Sequence, residues 1–523
     1  MTDTVAQVPG HAPRRRGREQ RHAERAAPLA LDARPIWPGV EGGRFRPLTD
    51  AQVAKIHEAT LYLMEDVGFG SAIPPMIERV CARGGWMDEH GRLHFPRGLV
   101  EEILASCKKT FTAFGQRPEH DLEIGGRRVH FGSGGASPNI VDLDTGLYRG
   151  ATLADLYDAA RIVDLMDNVH FFNRSLVARD IEDVREFDLN TLYAIASGTA
   201  KHVGSSITVV ENVEPVLALL DAIAGGEGCY RKRPFAMLLS CHVVPPMRFA
   251  EEALGVLEKA LPAGMPVMIV SAGQAGATAP AKLAGTVVQA MAETLAGLVY
   301  CNLIDPQATV ICGPKPIVSD LRTGAMSGGS GEQAIVAAAT VQMARYYDLP
   351  CSVMAGISDS KVPDAQSGYE KSYTITLAAH AGCNMITQTC GMQASLLGLT
   401  KEGYIIDNDM LGAIARSVRG IEISDDSLSV ETIRDVVLGE GHYLGNAQTL
   451  EVMTRDYVYP EIADRQPPAT WEEQGGRDIR ERARERAHEI LASHFPRHID
   501  AATDAAIRER FPIRLPRGLM HPA

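Results

Sequence analysis

The strongest constraint on this chain is an alternation that runs through most of its length. Short apolar runs, each stopped by a polar loop, are separated by segments long enough for helices. The clearest copy lies between residues 350 and 392. There Cys351-Ser-Val-Met-Ala355 stops at Gly356 and Ser358-Asp-Ser-Lys361, a helix-length segment covers 364–381, and Asn384-Met-Ile-Thr-Gln-Thr389 ends at Cys390-Gly391. Buried strand, loop, helix and second buried strand make one βαβ unit of a parallel sheet, because parallel neighbours need a crossover. Strand candidates recur at 169–175, 202–209, 235–242, 267–271, 309–312, 351–355 and 384–389, with helix candidates at 188–198, 213–224, 250–261, 279–298, 331–347 and 365–381. This spacing predicts an α/β fold, a (β/α)8 TIM barrel with an N-terminal helical cap and a C-terminal helical extension. The eighth strand is either near 393–397 or in the region of Val129. An open doubly wound sheet is the alternative, and the missing G-x-G-x-x-G after the first strand speaks against it.

The remaining segments divide as a disordered basic arm over 1–44, a helical cap over 45–128, the barrel over 129–465 and the extension over 466–523. The arm carries Arg14-Arg-Arg16 and several prolines, a composition that resists folding. Thr49-Asp50 reads as the start of a helix ending at Gly68, further helices fit 75–83 and 96–106, and 86–95 reads as a hairpin. Strands near 129–131 and 139–142 bracket Gly132-Ser-Gly-Gly-Ala136, a tight turn rather than a phosphate cradle, since no Walker spacing completes it. In the tail, Ile479, Ala483, Ala487 and Ile490 form one apolar stripe on a charged helix, expected to pack on the barrel or on a second subunit of a homo-oligomer.

A net charge of −13 argues against nucleic acid as a partner. Nine cysteines, odd in number and without a C-x-x-C pair, fit reduced thiols in a cytoplasmic protein. Neither a signal peptide nor a membrane span is expected, because the apolar stretches are interrupted or flanked by Lys282, Glu293, Glu332 and Arg345.

In such folds chemistry sits where strands end. Those positions present Asn173, Ser175, Ser205, Ser206, Cys241, His242, Ser271, Gln274, Cys312, Gln388 and Cys390, with Asp359 and Lys361 as the main charged exceptions. Lys361 could act as a Schiff-base lysine in a lyase or aldolase, although a lysine in such a loop ordinarily points to water. Asp359 could bind a cation or serve as a base, or simply form the turn. Cys241, His242, Cys312 and Cys390 could meet at zinc, but no two of these cysteines are close in sequence, and free cysteines are commonly buried hydrophobes. Glu440-Gly-His442-Tyr-Leu-Gly445 nearly matches the D-x-H-x-x-G by which corrinoid carriers supply histidine to cobalt, without the surrounding strand–glycine context.

Several stretches together resemble one family. They are Tyr148-Arg-Gly-Ala-Thr-Leu-Ala-Asp155, Gly313-Pro-Lys-Pro through Gly328-Gly-Ser-Gly-Glu332, Ser358-Asp-Ser-Lys361, Asp364-Ala-Gln-Ser-Gly-Tyr-Glu370, Gly441-His-Tyr-Leu-Gly445, Tyr459-Pro460, Asp464-Arg465 and Trp471. Their order resembles the trimethylamine methyltransferase family of corrinoid-dependent enzymes. The resemblance implies a barrel that passes a methyl group from a methylamine-type substrate to Co(I) of a separate corrinoid (cobalamin) protein, with no tightly bound cofactor and no metal of its own. Archaeal trimethylamine enzymes of the family carry pyrrolysine, whereas this chain has only the standard residues, which favours a quaternary amine as in the glycine betaine branch. Such a substrate needs no general acid, since its leaving group is already a neutral amine. Its cation would be held by ring faces and a carboxylate, with Phe131, Phe172, Tyr369, Tyr373, Tyr404 and Asp359 as candidates. His202, His242 and Gln388 are candidates for a substrate carboxylate, Asp359 and His242 for any catalytic role, and His442 for contact with the corrinoid. A non-catalytic binder of quaternary amines is a further reading.

Overall fold

The structure, a computed structural model, describes residues 34–520. Its centre is a series of parallel strands, each followed by a helix. The strands are β1 (Arg128–Phe131), β2 (Phe171–Asn173), β3 (His202–Ser205), β4 (Ala236–Ser240), β5 (Val267–Ser271), β6 (Val310–Pro314), β7 (Ser352–Met354) and β8 (Met385–Thr387). The helices after them are α1 (Leu153–Asp164), α2 (Val184–Gly198), α3 (Val213–Ile223), α4 (Glu251–Ala260), α5 (Leu283–Ile304), α6 (Gly331–Tyr346), α7 (Ala365–Ala381) and α8 (Lys401–Arg419). Strands β2 to β6 form one parallel sheet in sequence order, and β7, β8 and β1 form another, also parallel. Single parallel bridges join Gly132 to Phe171 and Cys312 to Cys351.

The seven strands read from the apolar runs are all present, and the region of Val129 supplies the eighth as β1. The run at 393–397 instead forms a short bridge and a 3-10 turn. The Gly132–Ala136 segment does not close a hairpin: Asn139–Val141 pairs antiparallel with Tyr148–Gly150, while β1 pairs with β8. Helix α8 was not anticipated.

Residues 45–128 hold more than helices. Asp50–Tyr62 is capped by Thr49, whose hydroxyl accepts from Gln52 N–H while the Gln52 side chain accepts from Thr49 N–H. Pro74–Cys81 and Arg97–Ser106 follow, with a small hairpin of Trp86–Met87 and Leu93–His94 between them. A second hairpin, Phe111–Ala113 with Leu122–Ile124, buries its apolar residues against the inner faces of the strands. Of the expected basic arm, 1–33 lies outside the described residues, and within 34–44 the pair Val40–Glu41 forms a strand antiparallel to β1.

In the tail, a helix at Ile479–Ser493 is capped by Asp478, and Ala483, Ala487 and Ile490 are buried against α8 and α1 of the same chain. Residues Leu428–Val458 form a separate small unit of two helices, Val430–Leu438 and Ala447–Arg455. Among the described residues, α5 is the helix long and apolar enough to cross a membrane, and 83% of its most apolar 18-residue stretch is buried inside the protein.

Candidate active site in the strand well

The inner faces of the strands are sealed at one end and open at the other. Successive side chains alternate between faces, and paired parallel residues share a face. Phe171, Met237, Met268, Ile311 and Met385 therefore point inward together, and with Ala113, Leu122 and Ile124 of the hairpin they form a closed floor. Full burial of each large side chain contributes about 2 kcal/mol. One pleat further along, Leu239 and Val270 are only partly buried, and Cys241 beyond them is exposed. Solvent thus enters from the carboxyl ends of the strands and reaches Leu239 and Val270, while Asn173, Gly204, Gly313 and Thr387 beside them are buried.

Glycines at that level make room for their neighbours. A Cβ on Gly204 would stand 2.2 Å from Asn173 Oδ1, and one on Gly313 would stand 2.6 Å from the Ile269 carbonyl. The Asn173 carboxamide oxygen is buried without a hydrogen-bond partner. Gln388, at φ +61°, occupies a backbone region a side chain rarely adopts, and such positions gather at functional sites. With its oxygen turned toward the loop after β1, it accepts from Gly135 N–H at 3.2 Å.

Lys315 follows β6 and is 6% exposed. Its Nζ donates to Thr387 Oγ1 at 2.9 Å, although β7 lies between β6 and β8. The side chain therefore crosses the inner face, passing the place where Gly313 lacks a Cβ. Burial pulls its ammonium down to about 8. Arg174, one residue past β2, is half-buried, and burial also lowers its guanidinium. Both cations act on the Cys241 thiol, which water touches at the mouth of the well but whose ionisation the protein packed around it still pushes up.

The residues expected around a cation are not gathered in this well. Phe131 pairs in register with Ile386 and Phe172 with Val203, which puts both rings on the outer face, inside the hydrophobic core. Tyr404 is buried in the same core, its ring against Gly391. Tyr369 is 59% exposed on α7, and the Tyr373 hydroxyl donates to the Gly329 carbonyl. His202 does face inward, but at floor level, with Nδ1 against the Phe114 carbonyl at 2.7 Å. Nε2 of His242 donates to the Glu293 carbonyl at 2.9 Å, and a Cβ on Gly297 of α5 would stand 2.3 Å from this ring. Burial lowers both histidines to about 4, so both are neutral at pH 7.

Asp359 ties loops together. One carboxylate oxygen accepts from Gly328 N–H at 2.9 Å and Ser395 Oγ at 2.6 Å, and the other from Gly329 N–H at 3.4 Å. Glu370 supports it, accepting from Asp359 N–H and Ser358 Oγ, both at 2.8 Å. Lys361 is exposed and folds back onto the Asp359 carbonyl at 2.7 Å. Cys312 and Cys390 are buried in the core, far in character from the exposed Cys241. His442 is exposed on the loop between the two helices of the small unit.

Lys315 and Arg174 were not picked out as site residues. A usable signal existed for Lys315: Ile311, Gly313 and Lys315 share one face by alternation, so an inward Ile311 implies an inward lysine.

The trimethylamine methyltransferase family pattern matches residues 14–514. A glycine betaine methyltransferase of Desulfitobacterium hafniense is 32% identical, over 89% of this chain and 96% of that protein. Trimethylamine methyltransferases of Desulfitobacterium hafniense and Methanosarcina thermophila are 31% and 30% identical, over 90% and 88% of this chain and 94% and 95% of theirs. Among solved structures, the Methanosarcina barkeri monomethylamine methyltransferase superposes with a TM-score of 0.49 at 13% identity, over 90% of this chain and 91% of that one. With the family pattern spanning nearly the whole chain, the protein belongs to the trimethylamine methyltransferase family and is an enzyme of the methyltransferase class.

Proposed function

We propose that this chain transfers a methyl group from a quaternary amine, glycine betaine or a related betaine, to the Co(I) of a separate corrinoid protein in the cytoplasm. The two parallel sheets are read as one closed eight-strand barrel, which the bridges Gly132–Phe171 and Cys312–Cys351 support. The observation that carries the functional reading is the occupancy of the acid–base groups near the strand ends. Asp359, Glu370 and Glu293 are engaged with backbone or neighbouring side chains of the scaffold, while His202 and His242 each keep one ring nitrogen unpartnered and are held neutral by burial. Carboxylates committed to the scaffold and histidines held neutral by burial suit a reaction that moves no proton.

Demethylation of a quaternary ammonium is such a reaction. The carbon–nitrogen bond breaks with its electron pair left on nitrogen, giving a neutral tertiary amine, while Co(I) supplies the electron pair to the methyl carbon. The chain's task is to orient the substrate in a dry pocket with one methyl group toward the acceptor. The sealed floor and the narrow level of Asn173, Gly204, Gly313 and Thr387 would provide that orientation. His442, exposed on its loop, is retained as a contact for the corrinoid protein. Mixing the purified chain with cob(I)alamin and glycine betaine, proline betaine, carnitine or dimethylsulfoniopropionate should convert the absorbance to that of methylcobalamin with one of them. Silence with all four would overturn the reading.

A further inference from the structure

A buried ammonium ordinarily ends on a carboxylate or on a full set of acceptors, because an unpaired charge is costly to remove from water. Three of this chain's buried lysines obey that rule. Lys371 meets Asp407 at 2.7 Å, Lys401 meets Asp158 at 2.7 Å and Asp155 at 3.3 Å, and Lys201 donates to the carbonyls of Val163, Met166 and Val169. Lys315 does not. Its ammonium has one hydroxyl, Thr387 Oγ1, which itself donates to the Val353 carbonyl.

Arg174 lies outside this arrangement, since the alternation that turns Asn173 inward turns it toward α2. Its guanidinium lies 5.8 Å from the Phe187 ring and takes no hydrogen bond from the described residues. Asp188, the acid acting on it, already accepts from Thr208 N–H, Thr208 Oγ1 and Asn212 Nδ2. Lys315 thus places a cation without an anion on the inner face, beside the level that water reaches at Val270.

We propose that Lys315 forms a seat for the anionic end of the substrate, so that this enzyme selects a zwitterion and holds its carboxylate deep, with the methylated ammonium toward the open end. The proposal rests on the methyl-transfer reading only for the identity of the ammonium. The Lys315 ammonium stands one pleat above the floor, so an anion bound there leaves the rest of a short substrate pointing out of the well.

Three ligands separate the parts by calorimetry on the purified chain: glycine betaine, choline, which lacks the carboxylate, and 3,3-dimethylbutyrate, which keeps the carboxylate and replaces nitrogen by carbon. Glycine betaine should bind at least about 10-fold more tightly than choline, and 3,3-dimethylbutyrate should also bind. Lys315→Met should weaken both carboxylates by about 10- to 100-fold, the scale of a lost charge-assisted hydrogen bond. Choline should be unaffected, and Lys315→Arg should recover part of the loss. A melting curve on each variant separates unfolding from lost binding. Equal binding of choline and glycine betaine, or unchanged carboxylate affinity in folded Lys315→Met, would overturn the seat even if methyl transfer occurs. Lys315-dependent binding of 3,3-dimethylbutyrate with no transfer from any betaine would keep the seat and remove the methyl-transfer reading.

Discussion

The Lys371–Asp407 pair links α7 to α8 and also holds the loop after β8, because Asp407 Oδ2 accepts from Gly391 N–H at 2.8 Å as well as from Lys371 Nζ at 2.7 Å. Both side chains are almost fully buried, at 1% and 5% exposure. Replacing Lys371 by Met removes one charge and leaves the carboxylate stranded, which costs about 3–5 kcal/mol. At about 2.1 cal/mol/K per residue, unfolding a chain of this size carries an entropy on the order of 1 kcal/mol/K, so Tm should fall by roughly 3–5 °C. Burial already raises the Asp407 carboxyl, and without Lys371 it rises further. A carboxyl raised in the folded state favours folding when protonated, so the deficit of Lys371→Met should be large at pH 8 and shrink toward pH 5. The double variant Lys371→Met, Asp407→Leu removes both charges and should return to within about 1 kcal/mol of the parent. Scanning calorimetry at the two pH values reads all three proteins. A single variant that melts with the parent at pH 8, or a double variant no better than the single, would refute the reasoning.

Other consequences are as direct. Holding Lys315 at about 8 rather than 10.5 costs roughly 3 kcal/mol at neutral pH. Lys315→Met should therefore melt above the parent at pH 7, and the gap should close as pH rises from 8 to 10, where the folded parent sheds the proton first. Asp359→Ala should loosen the loops holding Gly328, Gly329 and Ser395, destabilising by about 1–3 kcal/mol and raising local hydrogen exchange there, visible by mass spectrometry. Lys361→Ala should leave turnover within about two-fold, since its exposed side chain reaches only its own loop. Borohydride trapping on Lys361 would instead revive Schiff-base chemistry.

Much of the scaffold was legible because parallel strands covered on both faces read as continuous apolar runs. The phase of each strand was not. Phe171 and Phe172 are adjacent and equally apolar, yet one forms the floor and the other the outer core, and a shift of one residue exchanges them. Helix α8 was missed because its buried face includes Lys401, Glu402, Asp407 and Asn408, whose partners come from α1, α7 and the tail. Such residues look like surface until those partners are placed. Asp359 reads as a cation binder from its place after β7, but the groups it binds lie about 30 residues earlier and in the 395 turn, which local sequence does not reveal. Lys315 was hidden by the opposite habit, that lysine is assumed to face water.

The central claim, methyl transfer from a betaine to cobalt, is tested most directly with glycine betaine labelled with carbon-13 in its methyl groups. Incubated with the chain and reduced corrinoid, it should give one labelled methyl on cobalt for each molecule of dimethylglycine formed, by NMR. Trimethylamine under the same conditions should give far less. Label on cobalt from trimethylamine but not from the betaine, or dimethylglycine formed without labelled cobalt, would contradict the account.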